Sequence, residues 1–208
     1  LERVLLLDGG MGTQILERRP TADDFGGADF EGCLELLCER RPDWIREIHA
    51  AYFAAGADAV ETHSFGANAM GLAEYGLADQ VETLNRRAAE LAREVARQFP
   101  GPRFVIGSLG PGGKLPTLGQ VAHAELFRSY AAQARGLLSG GADALLLETC
   151  QDLGQVKTAV RALRAAMAEL QLERPLWVQV TVEPSGTLLL GTEIAAVIAT
   201  LEMLPVDL

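Results

Sequence analysis

The stretch Gly56-Ala57-Asp58-Ala59-Val60-Glu61-Thr62 is echoed further along the chain as Gly141-Ala142-Asp143-Ala144, continued by Leu145-Leu146-Leu147-Glu148-Thr149. Each copy reads as a helix stop, a turn, a short apolar strand, and a Glu-Thr pair where the strand runs out. Recurrence of one αβ unit points to a barrel of parallel strands and helices rather than an irregular α/β arrangement. An open doubly wound sheet is the alternative, but no G-x-G-x-x-G follows a strand here.

Outward from this pair the rhythm holds. Residues 4–7 form an apolar run closed by Asp8-Gly9-Gly10, read as a first strand ending in a turn. Pro42 opens a helix with Ile45, Ile48, Tyr52 and Ala55 at helical spacing, and Gly56 stops it. A helix over residues 77–98 leads to Pro100-Gly101-Pro102, a strand over 104–106, and a glycine-rich stretch over 107–113. A helix over 124–139, a strand over 144–147 and a helix through Leu153, Val156, Val160, Leu163, Met167 and Leu170 follow. A fifth strand covers 176–180, a helix 193–203, and Val206-Asp207-Leu208 reads as the opening of a sixth strand. Continuous apolar strands joined by helices imply a parallel sheet covered on both faces. A (β/α)8 barrel needs about 250 residues. The expectation is therefore an N-terminal fragment of about five βα units in one domain, residues 1–208, inactive by itself.

Composition narrows the class of function. Of the 208 residues 49% are hydrophobic and 22% charged, ordinary for a folded soluble domain. The formal net charge of −10 argues against nucleic acid, whose binding rests on Lys and Arg neutralising phosphates. No apolar run approaches the roughly 20 residues of a membrane span, and no signal-like start is present. Three cysteines at irregular spacing make no disulfide framework, so a reducing cytoplasm is expected.

In parallel barrels the site lies at the C-terminal strand ends. Those ends supply Asp8-Gly9-Gly10, Glu61-Thr62-His63-Ser64, residues 107–113, Glu148-Thr149-Cys150 and residues 179–181, a polar and acidic ring. Carboxylates suit an ammonium group, and Gly-Gly turns let backbone amides approach a carboxylate, so an amino acid fits the ring. Each element has a plainer reading. These are a turn residue for Asp8, structural ion pairs for Glu61 and Glu148, and a satisfied structural histidine for His63. Residues 110–114 lack P-loop spacing for phosphate. Cys33, Cys38 and Cys150, with His49 and His123 on or beside helices, show no metal-ligand spacing. Lys114 and Lys157 end no strand, which disfavours an aldolase or lyase.

With these residues set out, the chain resembles the homocysteine S-methyltransferase family, the homocysteine-binding barrels of methionine synthases and their betaine-dependent relatives. The resemblance rests on residues 5–13 (LLLDGGMGT), 56–68 (GADAVETHSFGAN), 107–113 (GSLGPGG) and 141–149 (GADALLLET), in the family's order. Residues 22–25 and 30–37 are similar to the cobalamin-dependent branch, although Leu34-Glu35 stands where that branch has Asn or Asp before the leucines. The resemblance implies that homocysteine is held by Asp8 and Gly9, with Glu148 facing its amino group. It also implies that Thr62, Ser64 and Asn68 form a polar loop beside the pocket. It implies zinc held by three cysteines beyond Leu208, and cobalamin- and folate-binding domains in the same protein. The activity implied is methyl transfer from methylcobalamin to the homocysteine thiolate, giving methionine. Betaine or S-methylmethionine as donor is the near alternative, and a non-catalytic amino-acid-binding module the alternative of another class.

Overall fold

The computed structural model describes residues 4–207. Its sheet has four parallel strands in the order β1 (Ala59–Glu61), β2 (Phe104–Leu109), β3 (Ala144–Cys150) and β4 (Leu176–Val180). The connecting helices are α6 (Val81–Ala96), α7 (His123–Ser139) and α8 (Leu153–Glu169). Because consecutive strands are neighbours and crossovers are right-handed, every helix falls on the same side. That is the arc of a (β/α)8 barrel and excludes the doubly wound alternative, whose strand order reverses.

Alternation along the strands sorts two faces. Val105, Leu145 and Leu147 are buried toward the helices, whereas Ala59, Ile106, Ala144 and Leu146 cluster on the inner face with Phe104 and Trp177. On α6 the buried Leu84, Ala88, Leu91, Ala92 and Val95 step by three and four residues, and α8 does the same with Val156, Ala159, Val160 and Leu163. Helices α6 and α7 approach backbone to backbone at Gly136, where a Cβ would fall 2.3 Å from the Glu82 carbonyl oxygen. No helix among the described residues is long and apolar enough to cross a membrane.

Ahead of β1, the chain forms α1 (Met11–Glu17), α2 (Ala22–Phe25), α3 (Leu37–Arg40) and α4 (Pro42–Ala54); α5 (Ala69–Ala73) precedes α6, and α9 (Ile194–Leu201) follows β4. The short α1, α2, α3 and α5 have too few residues for a periodicity to show in the sequence.

Several expectations are corrected. Residues 4–7 do not form a full strand: Leu7 makes an isolated parallel bridge to Ala59, and Leu6 is 59% exposed. A strand needs a ladder of consecutive pairs, and this segment makes a single bridge. Strand β2 runs on to Leu109 and β3 to Cys150, past the expected ends at Ile106 and Leu147. Val206 and Asp207 form no strand, although the Asp207 N–H donates to the Leu176 carbonyl at 2.8 Å; Leu208 lies outside the described residues.

Candidate functional site

The inner-face alternation carries upward from its apolar layer. Above Ala59, Ile106 and Leu146 come Glu61, Ser108 and Glu148, polar side chains two residues further along each strand. Asp8 joins them from the preceding turn: both of its carboxylate oxygens accept the Glu61 N–H, each at 3.1 Å. The turn is fixed from below by Tyr52 of α4, whose hydroxyl donates to the Gly10 carbonyl at 3.1 Å. A Cβ on Gly9 would lie 3.2 Å from that hydroxyl oxygen, so a close approach, not only a turn, calls for glycine.

A buried hydroxyl network orients Glu148. The Ser108 hydroxyl donates to Glu148 Oε1 at 2.5 Å, and the Ser108 N–H donates to Thr62 Oγ1 at 3.0 Å. Ser64 Oγ donates to the Ser108 carbonyl at 2.8 Å and lies 2.6 Å from Thr62 Oγ1. Just beyond Glu148, Thr149 has φ of 60°, and the pairing with β4 shifts register between Leu147 and Cys150. A β-branched residue in the left-handed region costs on the order of 1–3 kcal/mol, a strain that tends to sit at functional positions.

These residues enclose a cavity of about 440 Å³, within the range of small-molecule sites. Asp8, Gly9, Thr62, Ser64 and Glu148 all line it, together with Glu61, Ser108, Met11 and Phe65. Asn68 is not among the lining residues. Its Oδ1 accepts the Gly71 N–H at 2.9 Å, capping α5, and its Nδ2 donates to the Gly66 carbonyl at 3.3 Å. Ser108 lay within the 107–113 stretch of the ring but was not singled out, because its strand was ended at Ile106; extending the inward alternation by one step finds it.

The cavity is acidic and has no lysine or arginine among its lining residues. Burial pushes Asp8 up to about 7, against the lowering effect of the Glu61 N–H. Burial, with the neighbouring Glu148 and Asp8 charges, pushes Glu61 up to about 7. Glu148 is also raised by burial, an effect opposed by the Ser108 hydrogen bond. Carboxyls crowded in this way favour a ligand that brings positive charge.

His63 and Glu35 also line the cavity, each held by a hydrogen bond to the backbone. The His63 ring Nε2 is 2.7 Å from the Leu34 carbonyl oxygen, and burial holds its pKa below the usual histidine value. It ties the loop after β1 to the segment before α3, as does Glu35, whose Oε1 accepts the Gly66 N–H at 2.8 Å. The glycine-rich stretch spends its backbone internally: the Gly110 N–H donates to the Phe65 carbonyl at 3.0 Å, and the Gly110 carbonyl accepts from the Tyr130 hydroxyl at 3.1 Å. Cys33, Cys38 and Cys150 are free thiols buried in separate core clusters, and burial raises all three, Cys33 to about 11 and Cys150 to about 12. No group of three or more potential metal ligands converges among the described residues, so the thiols present do not fit a zinc centre.

The acidic pocket at the strand ends of a parallel barrel arc has the size and charge to accept a small cationic or zwitterionic ligand, which places the chain in the class of small-molecule barrels. The profile of the homocysteine S-methyltransferases matches residues 5–208, and the chain belongs to that family. It is 49% identical over 210 residues to the methionine synthase of Mycobacterium leprae (strain TN), and 48% identical to that of Mycobacterium tuberculosis (strain ATCC 25618 / H37Rv). In both cases the match covers 100% of this chain but only 17% of the relative. Among solved structures, it resembles the metallated form of the Escherichia coli homocysteine methyltransferase MmuM, at TM-score 0.76 and 28% identity, over 97% of this chain and 71% of that one. The oxidized form of the same enzyme gives TM-score 0.74 at 27% identity, over 97% of this chain and 70% of that one.

Proposed function

We propose that residues 1–208 form the N-terminal part of the homocysteine-binding barrel domain of a cobalamin-dependent homocysteine S-methyltransferase, which converts homocysteine to methionine. The observation that carries the substrate reading is the trio Asp8, Glu61 and Glu148 around one cavity whose lining has no cation. In this reading Asp8 and Glu148, once ionised, accept the substrate ammonium, and the Gly9 turn offers a backbone N–H to its carboxylate. Thr62 and Ser64 act through Ser108, fixing the Glu148 oxygen that the ammonium meets. Asn68 shapes the loop that carries Ser64 and Phe65. The half-exposed Phe65 shields the thiol end of the pocket from water.

The methylcobalamin donor, and neighbouring cobalamin- and folate-binding domains, are inferred from the higher identity to the mycobacterial methionine synthases than to the Escherichia coli enzyme. Zinc belongs to this proposal only through ligands outside residues 1–208, because Cys33, Cys38 and Cys150 do not converge. A reducing cytoplasm suits three unpaired buried thiols. Calorimetry of homocysteine binding to the full-length protein tests the reading. Glu148→Ala is expected to weaken binding by roughly 1–3 kcal/mol, the scale of a lost charge-assisted hydrogen bond. Unchanged affinity removes Glu148 from the site.

A further inference from the structure

On the outer wall of the arc, away from the carboxylate pocket, a groove of about 760 Å³ opens between the starts of α7 and α8. Its lining includes Arg128 of α7 and Lys157 and Arg161 of α8, the last two one helical turn apart. All three are exposed, and among the described residues none of them has an ion-pair or hydrogen-bond partner. Their neighbours on the same helices differ. Arg135 pairs with Glu82 and Glu169, and Arg164 pairs with Asp207. In a chain of net charge −10, three unneutralised cations around one groove are a local reversal of the overall field.

The groove also has a firm, partly apolar floor. Phe127 is half-buried there, and the buried Thr158 fixes one wall, its hydroxyl donating to the Gly154 carbonyl at 2.9 Å and lying 2.7 Å from His123 Nδ1. From Gly154 to Arg161 the α8 side of the groove extends roughly 10 Å at the helical rise per residue. Lys157 and Arg161 are spaced along that length and Arg128 stands on the facing helix, an arrangement that suits several carboxylates in a row better than one small anion. A long polyanion such as nucleic acid would meet the repulsion of the whole acidic chain. A short acidic segment feels only charges within a Debye length of about 8 Å.

We infer that this groove is the docking site for an acidic stretch of polypeptide carrying an apolar side chain, with carboxylates on Arg128, Lys157 and Arg161 and the apolar group on Phe127. The inference does not depend on the ligand of the strand-end pocket.

The test uses the full-length protein and a fluorescein-labelled peptide of alternating glutamate and leucine, with a lysine-leucine peptide as control. The acidic peptide is expected to bind, to weaken as salt is raised, and to lose roughly tenfold in affinity in the Lys157→Glu/Arg161→Glu double variant, a substitution that does not weaken the lysine peptide. Homocysteine binding and thermal stability of that variant should match the parent, since both residues are exposed and outside the pocket. Where an acidic segment of the protein already fills the groove, the peptide is excluded. A zero-length carbodiimide then joins Lys157 to a carboxylate outside residues 1–208, and Arg161→Glu abolishes the coupling. Peptide binding that survives the double variant overturns the proposal. Inorganic phosphate that occupies the groove as tightly as the peptide does so too, by marking a small-anion site. So does the absence of both peptide binding and a Lys157 cross-link, or a cross-link confined to residues 1–208, the result for packing between copies.

Discussion

Asp143 holds Val105 by both of its main-chain polar groups: the Val105 N–H donates to Asp143 Oδ2 at 2.8 Å, and the Asp143 N–H donates to the Val105 carbonyl at 2.8 Å. The pincer recurs. Asp58 takes the Leu6 N–H at 3.0 Å and returns its own N–H to the Leu6 carbonyl at 2.8 Å, and Asp207 treats Leu176 in the same way, both at 2.8 Å. Each aspartate faces an arginine, Arg93 for Asp143, Arg103 for Asp58 and Arg164 for Asp207. Val105 and Leu176 lie within the first two residues of their strands and Leu6 just ahead of the Leu7 bridge, where ladder pairing on the aspartate's side has not yet begun, and the aspartate supplies an acceptor for the N–H. The Gly-Ala-Asp echo therefore marks a device that closes the N-terminal face of the sheet, opposite the pocket.

Removing one pincer should destabilise the fold without touching the site. Asp143→Ala leaves the buried Val105 N–H without its acceptor, at a cost of roughly 1–3 kcal/mol. Asp143→Asn keeps an acceptor oxygen and should recover part of that loss. Urea unfolding of the two variants beside the parent measures both; equal stability of Asp143→Ala and parent would mean that water serves Val105 as well.

Ser108→Ala should act on the pocket through Glu148. Losing the hydroxyl donor raises the Glu148 carboxyl further and frees its rotamer. Amino-acid affinity is expected to fall by about 1.5 kcal/mol, the low end for a bond to a charged group because Glu148 is only partly buried. The pH at which affinity is half-maximal should move upward, a shift that a purely structural serine would not produce. Calorimetry across pH with a circular-dichroism check of fold reads both.

Ligand affinity and fold stability should respond to pH in opposite directions. L-Homoserine has the ammonium and carboxylate of the proposed substrate but no thiol to titrate. Its affinity should rise as pH passes through about 7, where Asp8 and Glu61 ionise, and level off above. For the ligand-free fold, both groups have pKa values raised above the ordinary 3.8 and 4.5, so the folded chain holds protons that the unfolded chain releases. Their stabilising contribution is complete below those ordinary values and is lost as pH rises through about 7. Thermal unfolding at pH 5 and pH 8 should show less of this loss in Asp8→Asn/Glu61→Gln than in the parent.

Thr149→Gly should stabilise the ligand-free protein by about 0.5–1 kcal/mol, because glycine adopts the observed φ without the clash of a branched Cβ. Thr149→Val, equally branched and without the hydroxyl, should give no gain. A melting-temperature increase for glycine alone identifies backbone strain as the cause; no increase would show that the turn beyond Glu148 is relaxed.

Much was legible from local pattern. Helices α4 and α8 followed from three- and four-residue apolar spacing, because one face of each must meet the sheet, and α6 and α7 from the Pro and Gly stops that end them. Asp8, Glu61 and Glu148 could be placed at one rim because strand ends of a parallel sheet share a side. Other features depend on partners distant in sequence. Residues 4–7 are apolar enough for a strand, yet ladder pairing, not apolarity, makes one. Asn68 stands beside the pocket loop in sequence, but its side chain is taken up by the helix it caps. Asp207 is the third pincer, a role invisible until Leu176 lies beside it.

The sequence by itself determined the alternation of parallel βα units and the acidic character of the strand ends, since period and residue type suffice for both; the strand order of the structure decided for a barrel arc over an open doubly wound sheet. Only the tertiary structure decided which groups act together. Asp8 meets the backbone of Glu61, Ser108 grips Glu148, and the Gly-Ala-Asp repeats serve the opposite face. Such pairings are set by strand register, and register is fixed by burying one face of every strand at once, a property of the whole sheet.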